Sequence, residues 1–381
     1  MSLFGKKESY LGIDIGAHGI KLVELRKTKN RPQLWTYGIL DKDLDIHLHS
    51  TTQKDIDDLR AEQDLTYVNT KQETSKKMPI TIQEYILKDA RIDAYAKLLK
   101  MLITEAKVKS RRVTSSLPVS HVFHAIINIP KVADKLLQGI VQAEIAKMIS
   151  QPIEEMQVVF QKVSPGNTEA RYQTILVTAA PKALVAFYTA IFQKAGLQLE
   201  ELETEAFAVA RSLVGHDSTV SMVVDVGAER TNLFIIDKGI PMTHRSLQIG
   251  GNNFDVAMSK VLGLEIAQIK QIKIDLSSVS AHLPTDMCMN LLDPIAKEIQ
   301  YSFDMYLKQT GNEGKRPEKI ILSGGSGLFP PIQDYITQQF SLKIFVGDPW
   351  ARVIYQDGLK PILDDLGPRM AVSIGLALRN F

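Results

Sequence analysis

The apolar pattern opens on "YLGIDIGAHGIKLVEL", residues 10–25, in which one strand carries Asp14 in mid-run, turns through Gly16 and Gly19, and resumes as a second strand. A carboxylate there adds nothing to packing, so a cation or a hydroxyl is expected to meet it. The pattern returns in "VSMVVDVGAERTNLFIIDKG", residues 220–239: apolar strand, Asp225, one residue, Gly227, a short turn, a second apolar strand. Side chains alternate along a strand, so each Asp lies on the face opposite its immediate apolar neighbours. Either hairpin alone reads as an ordinary turn, since Asp and Gly both favour turns. Two in register point to two related domains facing each other.

Between them the period changes to that of helices. Ala96, Leu99, Leu102, Ile103 and Ala106 predict an amphipathic helix over residues 92–106. "VFHAIINIP" predicts a strand, and residues 132–149 a helix burying Leu136, Leu137, Ile140, Val141, Ile145 and Met148. "YQTILVTAAP" is a further strand, followed by a helix "KALVAFYTAIFQKAGL" that Gly196 closes. Residues 120–201 thus form a small α/β lobe whose strands are separated by helices, with His121 and His124 structural. Residues 41–79 are too poor in apolar residues for a core of their own. They predict an exposed insertion with one short helix near 55–61, and His47 and His49 read as solvated rather than as metal ligands.

At 381 residues and 42.5 kDa the chain is long enough for two domains. A net charge of +2 gives no excess that would advertise nucleic acid or an acidic membrane. The single Cys288 excludes a disulfide framework within the chain and reads as a small core residue. No apolar h-region follows the basic start, and no apolar run is long enough to cross a bilayer, so a cytoplasmic protein is expected.

The candidate chemistry gathers at glycine-bearing turns. Backbone N–H groups exposed by Gly16 and Gly19, and by Gly227, suit phosphate oxygens. An Asp beside each turn repels phosphate unless a divalent cation lies between, and Mg²⁺ is held in this manner by one or two carboxylates plus phosphate oxygens. Asp14 and Asp225 are therefore paired in role. "KIILSGGSGLFPPIQDYI" (residues 319–336) is strand, Gly324-Gly325-Ser326, then a helix started by a proline, and glycines there let the flat parts of adenosine lie on the backbone. "LQIGGNNFDVAMSKVLG" (residues 247–263) repeats the device with Gly250 and Gly251, Asn252 as a cap and Asp255 three residues on. Glu298 and Ser302 lie four apart on one helical face, reaching either one ligand edge or solvent.

These elements, with "ETEAFAVARSL" (residues 203–213) and "MAVSIGLALRNF" (residues 370–381), resemble the ATPase signatures of the superfold shared by actin, heat-shock chaperones and sugar kinases. Within it, "FGKK", "GIDIG", "IKLVEL", "EAFAVAR" and the terminal "GLALRNF" are most similar to the PilM family, FtsA-like proteins of type IV pilus assembly. The resemblance implies an α/β actin-like fold, with two domains around a nucleotide cleft. It divides the chain into subdomain 1A (1–119 with 203–219 and 368–381), an FtsA-type 1C lobe (120–202) and domain 2 (220–367, with 2B about 252–318). It also implies ATP with Mg²⁺ on Asp14 and Asp225, and phosphate or nucleoside contacts from Gly16, Ala17, His18, Gly19, Lys21, Gly227, Ala228, Arg230, Thr231, Asn232, Gly250, Gly251, Glu298, Ser302, Gly324, Gly325 and Ser326. Glu205 would orient a metal-bound or attacking water, though a helix N-terminus favours an acid there in any case. The implied partner is the cytoplasmic N-terminal tail of a PilN-like inner-membrane protein, extended in a groove beside the lobe, with the pilus assembly ATPases among further candidates. Membrane association would run through that partner alone.

Two departures stand out. The first turn reads Ala17-His18-Gly19 where such families carry serines, leaving Lys21 to supply charge. The second places Glu229 and Arg230 before Thr231, where small hydroxyl residues are usual. Weak ATPase activity at most is expected, with ATP acting as a conformational ligand. A small-molecule kinase on the same fold would need a general base aimed at a substrate hydroxyl, and no candidate Asp for that task is apparent. An FtsA-like division filament protein would carry an amphipathic tail, whereas Phe381 follows the last helix directly.

Overall fold

The computed structural model describes residues 8–29, 31–46, 86–163, 171–278, 288–309 and 311–381. Strand β1 (Ser9–Gly16) pairs antiparallel with β2 (Gly19–Arg26), which pairs with β3 (Gln33–Leu40). Parallel partners β4 (Arg112–Leu117) and β8 (Gln198–Thr204) complete a sheet of order β3-β2-β1-β4-β8. The second sheet repeats it strand for strand. Its order is β11-β10-β9-β12-β13, built from β9 (Ser221–Val226), β10 (Thr231–Asp237), β11 (Ile240–Leu247), β12 (Lys319–Ser323) and β13 (Lys343–Val346). The duplication read from the two hairpins is therefore a duplication of the whole sheet.

β4 had no apolar signature, because Thr114, Ser115 and Ser116 occupy its centre. Its hydroxyls are spent on the neighbouring strand: Ser115 donates to the Ile13 carbonyl (2.7 Å) and Ser116 to Asp14 (3.1 Å). Against this sheet pack α1 (Ala90–Glu105) and α3 (Lys182–Lys194), whose Ile92, Leu99, Leu184 and Phe187 join Leu11, Ile13 and Leu22 in one core. Each such side chain contributes roughly 1.5–3 kcal/mol on burial.

The small lobe is a three-stranded antiparallel sheet of order β5-β7-β6, from β5 (Phe123–Pro130), β6 (Met156–Lys162) and β7 (Tyr172–Pro181), covered by α2 (Asp134–Ala146). Helix α2 is shorter than expected and buries Leu137, Val141 and Ile145, while Leu136 and Met148 are exposed. A helix lying on a single small sheet covers one narrow stripe, so the flanking apolar positions stay outside. The expectation that helices separate all the lobe strands is also corrected, since β6 pairs directly with β7. The helix near 55–61, His47 and His49 lie outside the described residues. Of the described residues of the insertion, Asp41, Lys42, Asp43 and Asp45 are exposed as expected, while Leu44 and Ile46 are buried in the α1 core.

Two helices lie between the sheets. Helix α4 (Glu205–Val209) follows β8, whose last residues include Glu203 and Thr204, and continues as a π-helical turn (Ala210–Val214). Arg352 satisfies that turn's end, donating to the Arg211 (2.6 Å) and Val214 (2.7 Å) carbonyls. Helix α9 (Lys360–Ala377) starts ten residues before the predicted stretch at Met370 and crosses α4 at backbone contact. A Cβ on Gly375 would overlap the Ala208 carbonyl, and one on Gly12 would overlap that of Ser373. Gly375→Ala should therefore cost about 2–3 kcal/mol in urea unfolding, because the wedge falls on backbone rather than on a flexible side chain.

Candidate functional site

The hollow between the two sheets has a volume of about 550 Å³ and is walled by both hairpins and both glycine turns, within the range of small-molecule sites. It brings together Asp14, Gly16, Ala17, His18, Lys21, Glu205, Asp225, Gly227, Ala228, Arg230, Asn232, Gly251, Gly324, Gly325 and Ser326. Gly19, Thr231, Gly250, Glu298 and Ser302 do not line it. Thr231 turns inward and donates to the Ile249 carbonyl (2.7 Å). Ser302 is buried and donates back to Glu298 of its own helix α7 (Met289–Leu307) (2.8 Å), and Glu298 itself pairs with Arg245. Neither lines the hollow, and Glu298 keeps part of its surface exposed beside Arg245.

The glycines brace the turns as much as they open them. A Cβ on Gly250 would meet the Ala228 and Glu229 backbone (2.5 Å and beyond), and one on Gly324 the backbone of Val226. Gly324 adopts φ +83°, which an L side chain rarely takes. The first donors of α5 (Gly251–Leu262) are spent on the second hairpin turn, Gly251 N–H to the Gly227 carbonyl and Asn252 N–H to that of Ala228, both 2.8 Å. The expected capping by Asn252 and Asp255 is replaced by Asn253, whose side chain accepts the Gly250 N–H (2.9 Å).

Three acids define the floor. Asp14 stands opposite Lys21 in the β1–β2 register, with 3.9 Å between Oδ2 and Nζ, and Asp225 stands opposite Asn232 in β9–β10. Burial, followed by the charge of Asp14, pushes Asp225 up to about 6, with Ser323 and Lys21 opposing. Burial again, followed by Asp14, pushes Glu205 up to about 8 despite the Val119 N–H and Lys21. Glu205 Oε2 accepts from Val119 N (3.1 Å) and Asn232 Nδ2 (3.4 Å). The Tyr188 hydroxyl is buried near these acids with no hydrogen-bond partner. A floor that raises two of its own carboxyls favours added positive charge, and Mg²⁺ fits that chemistry. Among the described residues no group of three His, Cys, Asp or Glu is arranged to hold a metal ion, so phosphate oxygens and water would complete the shell.

Other lining groups were not read from the sequence. Lys270 and Lys273 come from α6 (Ile266–Ser278). Lys273 is paired with Asp255 (2.6 Å) and sits over the Phe329 ring at 5.8 Å. Leu328, Phe329, Leu366 and Val372 supply an apolar wall beside Arg369, and Arg369 binds Asp41.

A family model described as type IV pilus assembly protein PilM matches residues 78–381. The chain belongs to the PilM family of type IV pilus assembly proteins. It superposes on a solved PilM–PilN type IV pilus biogenesis complex with TM-score 0.75 at 23% identity, covering 98% of this chain and 99% of that one. On the ethanolamine utilization protein EutJ from Carboxydothermus hydrogenoformans the TM-score is 0.50 at 12% identity, with 98% and 90% covered. The fold is the actin-like one that the family resemblance implies. Among the described residues no helix of this PilM-family chain is long and apolar enough to cross a membrane.

Proposed function

We propose that this PilM-family chain is an ATP-binding, actin-like scaffold of the pilus inner-membrane platform, whose nucleotide state sets how its small lobe holds the N-terminal tail of a PilN-like membrane protein. The observation that carries the ATP reading is the shared floor: Asp14, Asp225 and Glu205, from far-separated parts of the chain, meet in one hollow, where the charge of Asp14 adds to burial in raising the other two carboxyls. Asp14 and Asp225 would hold Mg²⁺, Lys21 and Arg230 would meet phosphates, and Gly325, with Arg369 stacked beside it, leaves room for a flat group. Bound Mg²⁺ would supply charge neutralisation of the phosphates.

Glu205 joins the cleft to the lobe. Val119, one of its two donors, leads directly into β5 of the lobe, and Asn232, the other, belongs to the second sheet. Asn232 in turn accepts from Ser246 (2.7 Å), which accepts from Arg230 (2.8 Å). A change of charge on Glu205 therefore reaches both halves and the lobe root. For the tail, a surface hollow of about 420 Å³ lies between α3 and the lobe edge strand β6, lined by Leu87, Gln157, Lys182, Val185, Ala186 and Thr189 among others. An extended peptide there gains backbone pairing on an edge strand and apolar contacts from the helix. PilN in the solved relative motivates the choice of partner.

The test is one titration series. ATP binding should need Mg²⁺ and fall at least tenfold in Asp14→Asn or Asp225→Asn, read by calorimetry. A fluorescent PilN-type tail peptide should bind the wild type with an affinity that changes when MgATP is added. Equal ATP binding by all three proteins refutes the metal bridge, and no peptide binding in any nucleotide state refutes the scaffold role.

A further inference from the structure

The fold brings two separated basic stretches to one end of the first sheet. Residues 26–31 (RKTKNR) lead from the end of β2 toward β3, and residues 106–112 (AKVKSRR) lead from α1 into β4. Each carries four Lys or Arg and no acid, in a chain whose net charge is only +2. The second stretch is laid across β2 and β3: Glu24 accepts from the backbone N–H of Lys109 (2.8 Å) and of Ser110 (3.1 Å), and Thr36 donates to the Ala106 carbonyl (2.7 Å). Lys27 and Arg112 have acidic partners, Glu8 and Glu200. Lys29, Arg31, Lys107, Lys109 and Arg111 are exposed and carry no ion pair among the described residues. Trp35, next to Thr36, stands beside them. The Arg26 guanidinium lies over its ring, 3.1 Å from the centroid, and pins the indole, yet 43% of the residue stays exposed.

We propose that this end of the molecule docks on an anionic lipid bilayer, with the five unpaired cations among the headgroups and Trp35 in the interface. Crowded cations repel one another in the folded chain, and an anionic surface offsets that repulsion. An indole, apolar in body with one N–H donor, suits the boundary between headgroups and acyl chains, and each Lys or Arg close to an anionic leaflet strengthens binding about fivefold. None of the five cations lines either hollow described above. They sit on loops beside an exposed ring, the arrangement of a planar contact, which favours a lipid surface over a nucleic acid or an acidic peptide held in a groove. The loops lie at the start of β1 and β4, whereas Asp14 and Gly16 lie at the other end of β1, about 20 Å away, so docking leaves the hollow between the sheets open. The proposal needs neither nucleotide nor tail peptide, and it gives the chain a bilayer contact of its own where the sequence implied one through a partner alone.

The experiment is sedimentation of the full chain with vesicles of phosphatidylcholine alone and of phosphatidylcholine with one-third phosphatidylglycerol, read together with tryptophan emission. The chain has two tryptophans, and Trp350 is buried with its Nε1–H on the Leu363 carbonyl (2.8 Å), so a change in emission reports Trp35. The wild type should bind anionic vesicles at least tenfold more tightly than neutral ones, with emission shifted to the blue, and should lose most of that preference at high salt. Arg31→Ala, Lys107→Ala and Lys109→Ala combined should weaken binding at least tenfold and leave urea unfolding unchanged. Trp35→Ala should weaken it roughly three- to tenfold, keep the salt dependence and abolish the emission shift. No preference for anionic vesicles, undiminished binding by the triple variant, or binding without an emission change each overturns the proposal. So does tighter binding to duplex DNA or to polyglutamate than to anionic vesicles at equal salt, which would give this face to a nucleic acid or an acidic protein.

Discussion

Glu205→Gln is expected to stabilise the ligand-free protein by roughly 3 kcal/mol at pH 7 while weakening Mg²⁺-dependent ATP binding at least tenfold. The folded Glu205 carboxyl holds its proton to about 8, against an ordinary value of 4.5. Its folded pKa lies above the unfolded one, so the folded state binds the extra proton and stability falls as pH rises from 4.5 through 8. Glutamine removes that loss and can still accept the Val119 N–H. Urea unfolding at pH 7 measures the gain, which should shrink to below about 1 kcal/mol at pH 5. A variant less stable than wild type at pH 7 would contradict the buried-acid account. Stability gained by removing a carboxylate is the mark of a group kept for its ligand.

The second large effect comes from the seam between lobe and second sheet. His124 on β5 and His244 on β11 face each other with ring centroids 5.1 Å apart, and each carries a buried Nδ1 with no partner. His124 Nε2 donates to the Pro241 carbonyl (2.9 Å). Burial lowers His124 to about 4, and burial with the His124 and Arg245 charges lowers His244 to about 3. Here the folded pKa lies below the unfolded 6.5. The unfolded chain takes up protons first, and stability is lost as pH falls below about 6.5, by roughly 2 kcal/mol per ring at pH 5. The acids of the cleft act in the opposite sense over the same window. Wild-type stability should therefore stay nearly flat between pH 5 and 7, Glu205→Gln should rise with pH, and His244→Leu should fall. Parallel pH profiles for the three proteins would sink this account.

Much of the fold was legible because its repeating unit has a loud local signature. A strand interrupted by Asp-x-Gly conflicts with burial unless the carboxylate has a task, and two such conflicts gave the duplication, the cleft and the floor of the site. What escaped notice was set by partners distant in sequence. β4 hides behind Thr114, Ser115 and Ser116 because its hydroxyls answer β1, and nothing local places Lys270 and Lys273 at the hollow until α6 is folded against α5, where Lys273 pairs with Asp255. Glu298 and Ser302 share a helical face as read, but a helix has many faces and only tertiary packing decides which meets the cleft. The burial of Leu44 and Ile46 within an otherwise exposed segment went unread because two apolar residues are too few for periodicity to register.

The backbone-on-backbone crossing of α4 and α9 has a mechanical consequence. Gly375 and Ala208 touch without intervening side chains, and the apolar residues around them, Val209, Val372 and Leu376, come from both helices and pack with Val223 and Phe234 of the second sheet. Such a narrow bearing resists sliding, since any translation drives main-chain atoms into overlap, but it tolerates small rotation about the contact point. Relative motion of the halves would then be rotation about this crossing, and the His124–Pro241 hydrogen bond and the His124–His244 ring contact are where the lobe would feel it.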